Sequence, residues 1–390
     1  MKTELLKEWK EVTLGDVADF INGRAFKPDE WETNGKMIIR IQDLTNSINS
    51  PNYTSKDFDK KYLVKNGDLL VSWSATLDAF IWNKEDSWLN QHIFKVKENH
   101  KMINRKFLYY LIKNRITDFK KQSHGSTMKH ITKDKFISIK LHLPPLIYQQ
   151  QIVDVLEKIE KLKKFRDEAD ELTNEYLKSV FLEMFGDPVK NNKRWVLKKL
   201  GQLSSVGSSK RVFVNELVKE GIPFYRGTEI GALSESSNIS PKFFITEEHY
   251  LKLKENTVPV VGDLLLPSIC FDGRIWQVET KKPFYFKDGR VLWIHLDKPD
   301  VDSTYLQYLL HENFIRNYNQ IASGTTFSEL KIFALKNLDI MMPPISLQNK
   351  FASIVKEVKD MKEQQKQSRV QIHNLFNHLI QKAFKGELVC

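Results

Sequence analysis

Leu143-Pro144-Pro145-Leu146-Ile147-Tyr148-Gln149-Gln150-Gln151 returns 199 residues later as Met342-Pro343-Pro344-Ile345-Ser346-Leu347-Gln348. A proline pair cannot continue a helix but is tolerated at its entry, so each copy marks where a helix begins. Further out, Gly67-Asp68-Leu69-Leu70 matches Gly262-Asp263-Leu264-Leu265, and Gly125-Ser126-Thr127 matches Gly324-Thr325-Thr326. Arg40, after Met37-Ile38-Ile39, matches Arg226, after Pro223-Phe224-Tyr225. The period is far longer than the roughly 20–50 residues of a solenoid repeat. The chain therefore reads as one domain and one helix, each written twice.

Four segments follow: a globular domain over 1–145, a helix over 146–188, a second globular domain over 189–344 and a second helix over 345–390. The globular segments show short apolar runs bounded by Gly, Asn and Asp, each set followed by an amphipathic stretch (105–121 and 305–320), so both predict mixed strand and helix. The fold class is α+β. In the second helix Phe351, Val358, Gln365, Ile372 and Leu379 recur every seven residues, as do Ile354, Met361, Ser368 and Leu375. In the first, Ile152, Val155, Ile159 and Leu162 step by three and four, and Phe165, Ala169, Leu172 and Tyr176 resume after one skip. Such heptads predict a coiled-coil seam. At 1.5 Å per residue, a helix of ~35 residues spans roughly 50 Å.

Charge divides along the same lines. The net formal charge of +11 breaks into +7 over 1–145, −4 over 146–188, +4 over 189–344 and +4 over 345–390. The excess sits in the globular segments, which favours a polyanionic partner. The helices carry opposite signs, which suits two helices packed together. The start lacks an apolar leader, no run approaches the ~18 apolar residues of a membrane span, and the cysteines, Cys270 and Cys390, form no ligand or disulfide framework. A cytoplasmic protein with no membrane partner is expected.

The order of parts resembles the specificity subunit of a type I restriction–modification system. The resemblance rests on the two Pro-Pro-x-x-x-Gln helix entries, on the domain openings Trp9…Leu14-Gly15-Asp16-Val17 and Trp195…Leu200-Gly201-Gln202-Leu203, and on Ala383-Phe384-Lys385-Gly386-Glu387-Leu388 with its echo Glu183-Met184-Phe185-Gly186-Asp187. It implies two target-recognition domains held apart by an antiparallel coiled coil, each reading one half of a bipartite double-stranded DNA target. It further implies two docked modification (methyltransferase) subunits carrying S-adenosylmethionine. Restriction subunits working with ATP and Mg would complete the complex, and this chain itself would bind no cofactor. The loop sequences of the two domains differ greatly, so no base-reading residue carries over from the family.

Candidate DNA contacts therefore come from chemistry. Binding needs cations and backbone donors for phosphates, with side chains at base edges. Residues 101–140 hold eleven Lys or Arg against Asp118 and Asp134. Within them Lys121, Ser123, Gly125, Ser126, Thr127 and Lys129 form a small hydroxylated glycine loop suited to phosphate. Ser323, Gly324, Thr325 and Thr326 repeat it; a plain helix-terminating turn is the alternative. Arg40 and Arg226 end matching strands and Gln42 follows the first. Arg pairs with guanine and Gln with adenine in the major groove, unless these arginines are structural ion-pair partners. The loops after Gly-Asp-Leu-Leu add Ser72, Ser74, Ser268 and Arg274, whose alternative is a buried strand end. Arg290 completes the set.

Catalytic patterns are weak. The proline pairs follow Leu143 and Met342 rather than the Asp or Asn of an adenine methyltransferase, and Gly201…Gly207-Ser208-Ser209-Lys210 lacks a phosphate-loop signature. Pro299-Asp300 with Glu329-Leu330-Lys331 matches a nuclease pattern only at a chance-level spacing. A non-catalytic subunit is expected, with a stand-alone DNA endonuclease or a coiled-coil protein adaptor as alternatives.

Overall fold

The computed structural model describes residues 8–45, 47, 50–74, 76–122, 132–254, 258–324 and 328–388, with backbone only for 117–122. The chain forms two compact units, one of 1–167 with 366–390 and the other of 168–365. The division falls inside the two long helices, Leu146–Phe185 and Ile345–Phe384, so each unit takes a globular domain and part of both helices.

In the first unit, strand Lys10–Thr13 enters the domain and pairs antiparallel with strand Lys140–Leu143, which leaves it. Between them lie two four-stranded sheets. One is antiparallel, in the order Ala18–Asn22, Ile93–Glu98, Leu69–Ser72, Asp78–Ile81. The other, in the order Asn52–Thr54, Lys36–Ile39, Ser87–Leu89, Leu63–Val64, contains one parallel pair, Ile38 with Trp88. Helix Arg105–Gln122 packs on strand Asp78–Ile81. The core joins Phe20, Phe94 and Phe136 to Phe107, and reaches Ile152 and Leu156 of the first long helix and Ile380 and Ala383 of the second.

The second unit repeats this plan. Strands Leu197–Lys199 and Asp339–Met341 pair at the entrance and exit. The antiparallel sheet runs Ser204–Gly207, Val291–Leu296, Leu264–Pro267, Trp276–Gln277. Leu69 lies opposite Val96 in one unit and Leu264 opposite Ile294 in the other, so the repeat keeps its strand register. The Gly-Asp turn is preserved for a physical reason. Gly67 and Gly262 take φ of 88° and 99°, a region closed to most side chains. The following carboxylate accepts the Lys65 or Val260 backbone N–H at 2.9 Å in each case.

The repeated glutamine closes both units in the same way. Gln149 is fully buried. Its Oε1 accepts the Asn104 N–H at 2.8 Å, while Nε2 donates to the Met102 and Pro144 carbonyls at 2.9 and 2.8 Å. Gln348 does the same with the Asp302 N–H at 2.9 Å and the Asp300 and Pro343 carbonyls at 3.2 and 2.8 Å. One amide thus ties the start of each long helix to the start of the domain helix.

The long helices pair antiparallel, as expected. In the first unit Lys163 Nζ lies 4.2 Å from the Phe376 ring centre and Arg369 pairs with Asp167 at 3.5 Å. In the second, Gln365 Nε2 donates to Thr173 Oγ1 at 2.9 Å and Phe181 packs on Phe351. The expected seam needs correction. Phe351, Val358 and Gln365 are buried, but Leu162, Phe165, Leu172 and Tyr176 are 48–66% exposed, and Met361 and Leu375 are 49% and 45% exposed. Ile152 and Ile159 are buried as expected, but the seam of the first helix then runs from Leu156 and Ile159 through half-buried Lys163, Arg166 and Asp170 to Thr173, Leu177 and Phe181. It keeps unbroken three- and four-residue steps by passing through polar residues. Among the described residues no helix is long and apolar enough to cross a membrane.

Candidate nucleic-acid interface

The matched arginines are built alike. Each sits in extended backbone just before a short helix, Ile41–Leu44 or Gly227–Ser234. The backbone N–H and Nε of Arg40 both donate to Asp43 Oδ2, at 2.9 and 3.2 Å, and Nη2 reaches the Ser50 carbonyl at 3.3 Å. Arg226 repeats this on Glu229, with N–H and Nε on one oxygen at 2.9 and 3.2 Å and Nη2 on the other at 2.9 Å. Burial works against ionised Glu229, but the bonds from Arg226 outweigh it and hold its carboxyl below the usual range; the same bonds raise Arg226. Both arginines therefore cap a helix through a carboxylate three residues on, which is the structural ion-pair role. Arg226 remains the more accessible, with 37% of its side chain exposed against 17% for Arg40. Gln42 is exposed on the first turn of its helix.

The serines after Gly-Asp-Leu-Leu face inward. Ser72 is fully buried; its hydroxyl donates to the Thr76 and Asp78 carbonyls and accepts the Asp78 N–H. Ser74 and Ser268 are buried too. Ser268 binds Arg290 and Leu330 through its backbone, so it shapes the loop rather than its surface. Arg274 Nε pairs with Asp272 at 2.6 Å.

The structure gathers one cluster from separate stretches of sequence. The backbone of Ser323 exchanges two hydrogen bonds with Glu329, both at 3.0 Å, which brings exposed Ser323 and Gly324 beside Arg290. Glu329 binds Lys331 at 3.0 Å and also Arg290, and these cations hold its carboxyl below the usual range. Lys331 was missed as a candidate, although it stood in the Glu329-Leu330-Lys331 run. The other carboxylate of that nuclease pattern, Asp300, pairs with Lys198 at 3.3 Å. Among the described residues no group of three His, Cys, Asp or Glu is placed to hold a metal ion. Lys121 lies in the last turn of helix Arg105–Gln122, described by backbone alone. Ser123, Gly125, Ser126, Thr127, Lys129, Thr325 and Thr326 lie outside the described residues.

The type I restriction modification DNA specificity domain matches residues 6–173 and again 192–374. The chain belongs to this family. Each match takes in one globular domain and most of the helix after it, which is the duplication seen in the fold. Two specificity subunits are similar over nearly the whole chain. The type I restriction enzyme MjaVIII specificity subunit of Methanocaldococcus jannaschii is 22% identical, covering 98% of this chain and 93% of its own. The EcoBI specificity subunit of Escherichia coli is 23% identical, covering 97% and 86%. Among solved structures, the type I restriction–modification S subunit from M. genitalium aligns with a TM-score of 0.55 at 13% identity, over 96% of both chains. A chain from the structural work on assembly and conformational transition of the type I R–M system aligns at 0.61 and 18% identity, over 98% of both. These two structures bear on fold alone. Together with the family match, the relatives make this chain a specificity subunit of a type I restriction–modification system.

Proposed function

We propose that each recognition domain reads one half of a bipartite duplex target, and that the long helices dock two modification subunits that carry out the methyl transfer. The chain then contributes specificity and assembly and no catalysis, and restriction subunits join the same platform. One observation carries the reading: the same domain occurs twice, each copy closed onto its long helix by the same glutamine, with different loops. A shared frame with divergent loops suits two different half-sites.

The complex of this chain with its methyltransferase should bind its target with an affinity that falls about 10³-fold between 50 and 200 mM salt, as expected for some six or more neutralised phosphates. Moving the half-sites apart by a few base pairs should abolish specific binding while leaving non-specific binding intact. Affinity indifferent to both salt and half-site spacing counts against the proposal.

The exposed apolar residues of the first long helix support docking. Leu162, Phe165, Leu172 and Tyr176 face solvent where a packed helix would bury them, and exposed apolar stripes mark interaction surfaces. Leu172→Lys should leave the melting of the lone chain within about 0.5 kcal/mol of wild type, as surface changes do. The same change should remove the methyltransferase from the complex on size-exclusion chromatography. Retained co-elution places the docking elsewhere.

A further inference from the structure

Each unit has a cleft at the same place in the repeat, where the strand hydrogen-bonded to Leu-Leu meets the domain helix and the long helix. Three anchors fix the correspondence. Ile81 and Gln277 lie opposite Leu69 and Leu264, Asn104 and Asp302 donate to the clamping glutamines, and Gln149 matches Gln348. In that register Phe80 becomes Trp276, Tyr109 becomes Gln307, Tyr110 becomes Tyr308 and Glu160 becomes Lys359.

The groups of the first cleft are paired with one another, and it holds about 300 Å³. The Tyr110 hydroxyl donates to Glu160 at 2.7 Å, Lys113 pairs with Asp78 at 3.1 Å, and Lys106 pairs with Glu157. The second holds about 1260 Å³ and its floor has changed sign. Gln307 Nε2 donates to the Ile275 carbonyl at 2.7 Å, but its Oε1 is buried with no partner among the described residues. Such an oxygen needs a donor. Two of the lining carboxylates are engaged, Asp272 by Arg274 at 2.6 Å and Glu279 by Lys359 at 2.5 Å, which leaves Glu235. Among the described residues Lys281, Lys282 and Lys362 have no carboxylate at ion-pair distance. Burial holds the Lys362 ammonium below its usual range, with Asp170 opposing and Lys359 adding to the shift. Asp170 offsets that charge only in part.

We propose that the second cleft binds a nucleotide, with its base against Trp276 and Tyr308, a base amino group donating to Gln307 Oε1, and its phosphate on Lys362 with Lys281 and Lys282. Aromatic faces combined with cations are the general means of holding a base and its phosphate. The volume is ample for one nucleotide. The nucleotide is either free or part of a nucleic-acid strand; the chemistry is shared. This inference does not depend on how the duplex is read.

Calorimetric titration of the full chain with AMP tests it, with adenosine and ribose 5-phosphate as the separate halves. AMP should bind saturably at one site, and each half at least tenfold more weakly. Gln307→Tyr, which installs the residue of the first cleft, and Lys362→Ala should each weaken AMP at least tenfold, while Lys163→Ala, at the matching position of the first half, should not. Lys362→Ala removes a charge without adding bulk, which keeps the test readable if Gln307→Tyr fails to fold. Competition by a short single-stranded DNA assigns the site to a strand, and its absence assigns it to a free nucleotide. No saturable heat from a chain with normal melting overturns the proposal, as does ribose 5-phosphate binding as well as AMP, or AMP binding unchanged in both variants. Those failures leave duplex recognition standing.

Discussion

Gln348→Ala is expected to cost the second unit about 3 kcal/mol, since it removes three hydrogen bonds made by a buried amide and strands their partners. Gln348 is fully buried, so water cannot replace the lost amide without opening the structure. The Asp302 N–H opens helix Ser303–Ile321, whose cap Asp302 also accepts the Tyr305 N–H at 2.8 Å. The Asp300 and Pro343 carbonyls lose their donor together. For a unit of this size the loss corresponds to roughly 6–12 °C in melting temperature. Scanning calorimetry suits the measurement because a chain of two units need not melt in one step. Gln348→Glu separates the hydrogen bonds from simple packing. The carboxylate keeps the shape and one acceptor but turns a second acceptor toward two carbonyls, so it should destabilise at least as much as alanine. If glutamate were tolerated, or alanine cost under about 1 kcal/mol, the clamp would not be what joins helix to domain. Gln149→Ala tests the same point in the first unit.

The elements that carry strong local signals were legible in the sequence. Proline pairs fixed both helix entries, since Leu146 and Ile345 begin the helices directly after them. The Gly-Asp turns followed from a backbone requirement that a single residue type satisfies. The middle of the seam was not legible, because a search for apolar heptads follows Leu162, Phe165, Leu172 and Tyr176 wherever they lead. The continuous path from Leu156 and Ile159 instead meets polar positions. There the pairing is held by the Lys163 ammonium over Phe376, the Arg369–Asp167 pair and the Gln365–Thr173 hydrogen bond. Polar seam residues of this kind fix register at some cost in stability. The candidate site was partly legible. Arg40-x-x-Asp43 and Arg226-x-x-Glu229 are spaced as helix-capping pairs, a local signal carried by the sequence itself. The approach of Arg290, Ser323 and Lys331 was not legible, since it depends on a bridge between distant loops.

Reversing Lys121 and Lys129 together, both to Glu, is expected to weaken duplex binding about 100-fold at 0.1 M salt. Each phosphate released from its cation forfeits nearly one log unit at that concentration and lowers the salt slope by about one. The choice of these lysines follows from where the other cations go. Arg40, Arg226, Arg274 and Arg290 all meet carboxylates within the chain, so part of their charge is neutralised before DNA arrives. Residues 101–140 hold eleven cations against two carboxylates; Arg105, Lys106, Lys113 and Lys140 meet carboxylates elsewhere in the chain, and in the sequence Lys121 and Lys129 flank Gly125-Ser126-Thr127. The loss should be similar for cognate and unrelated duplexes, because phosphate contacts carry no sequence information. Arg226→Ala should show the converse pattern, with little change in slope and a lower melting temperature for the second unit as its helix loses a cap. Titrations of wild type and variants over 50–200 mM salt distinguish the two. A slope unchanged by the double reversal would move the phosphate grip away from these lysines, and with it the idea that the matching Ser323-Gly324 marks a second grip.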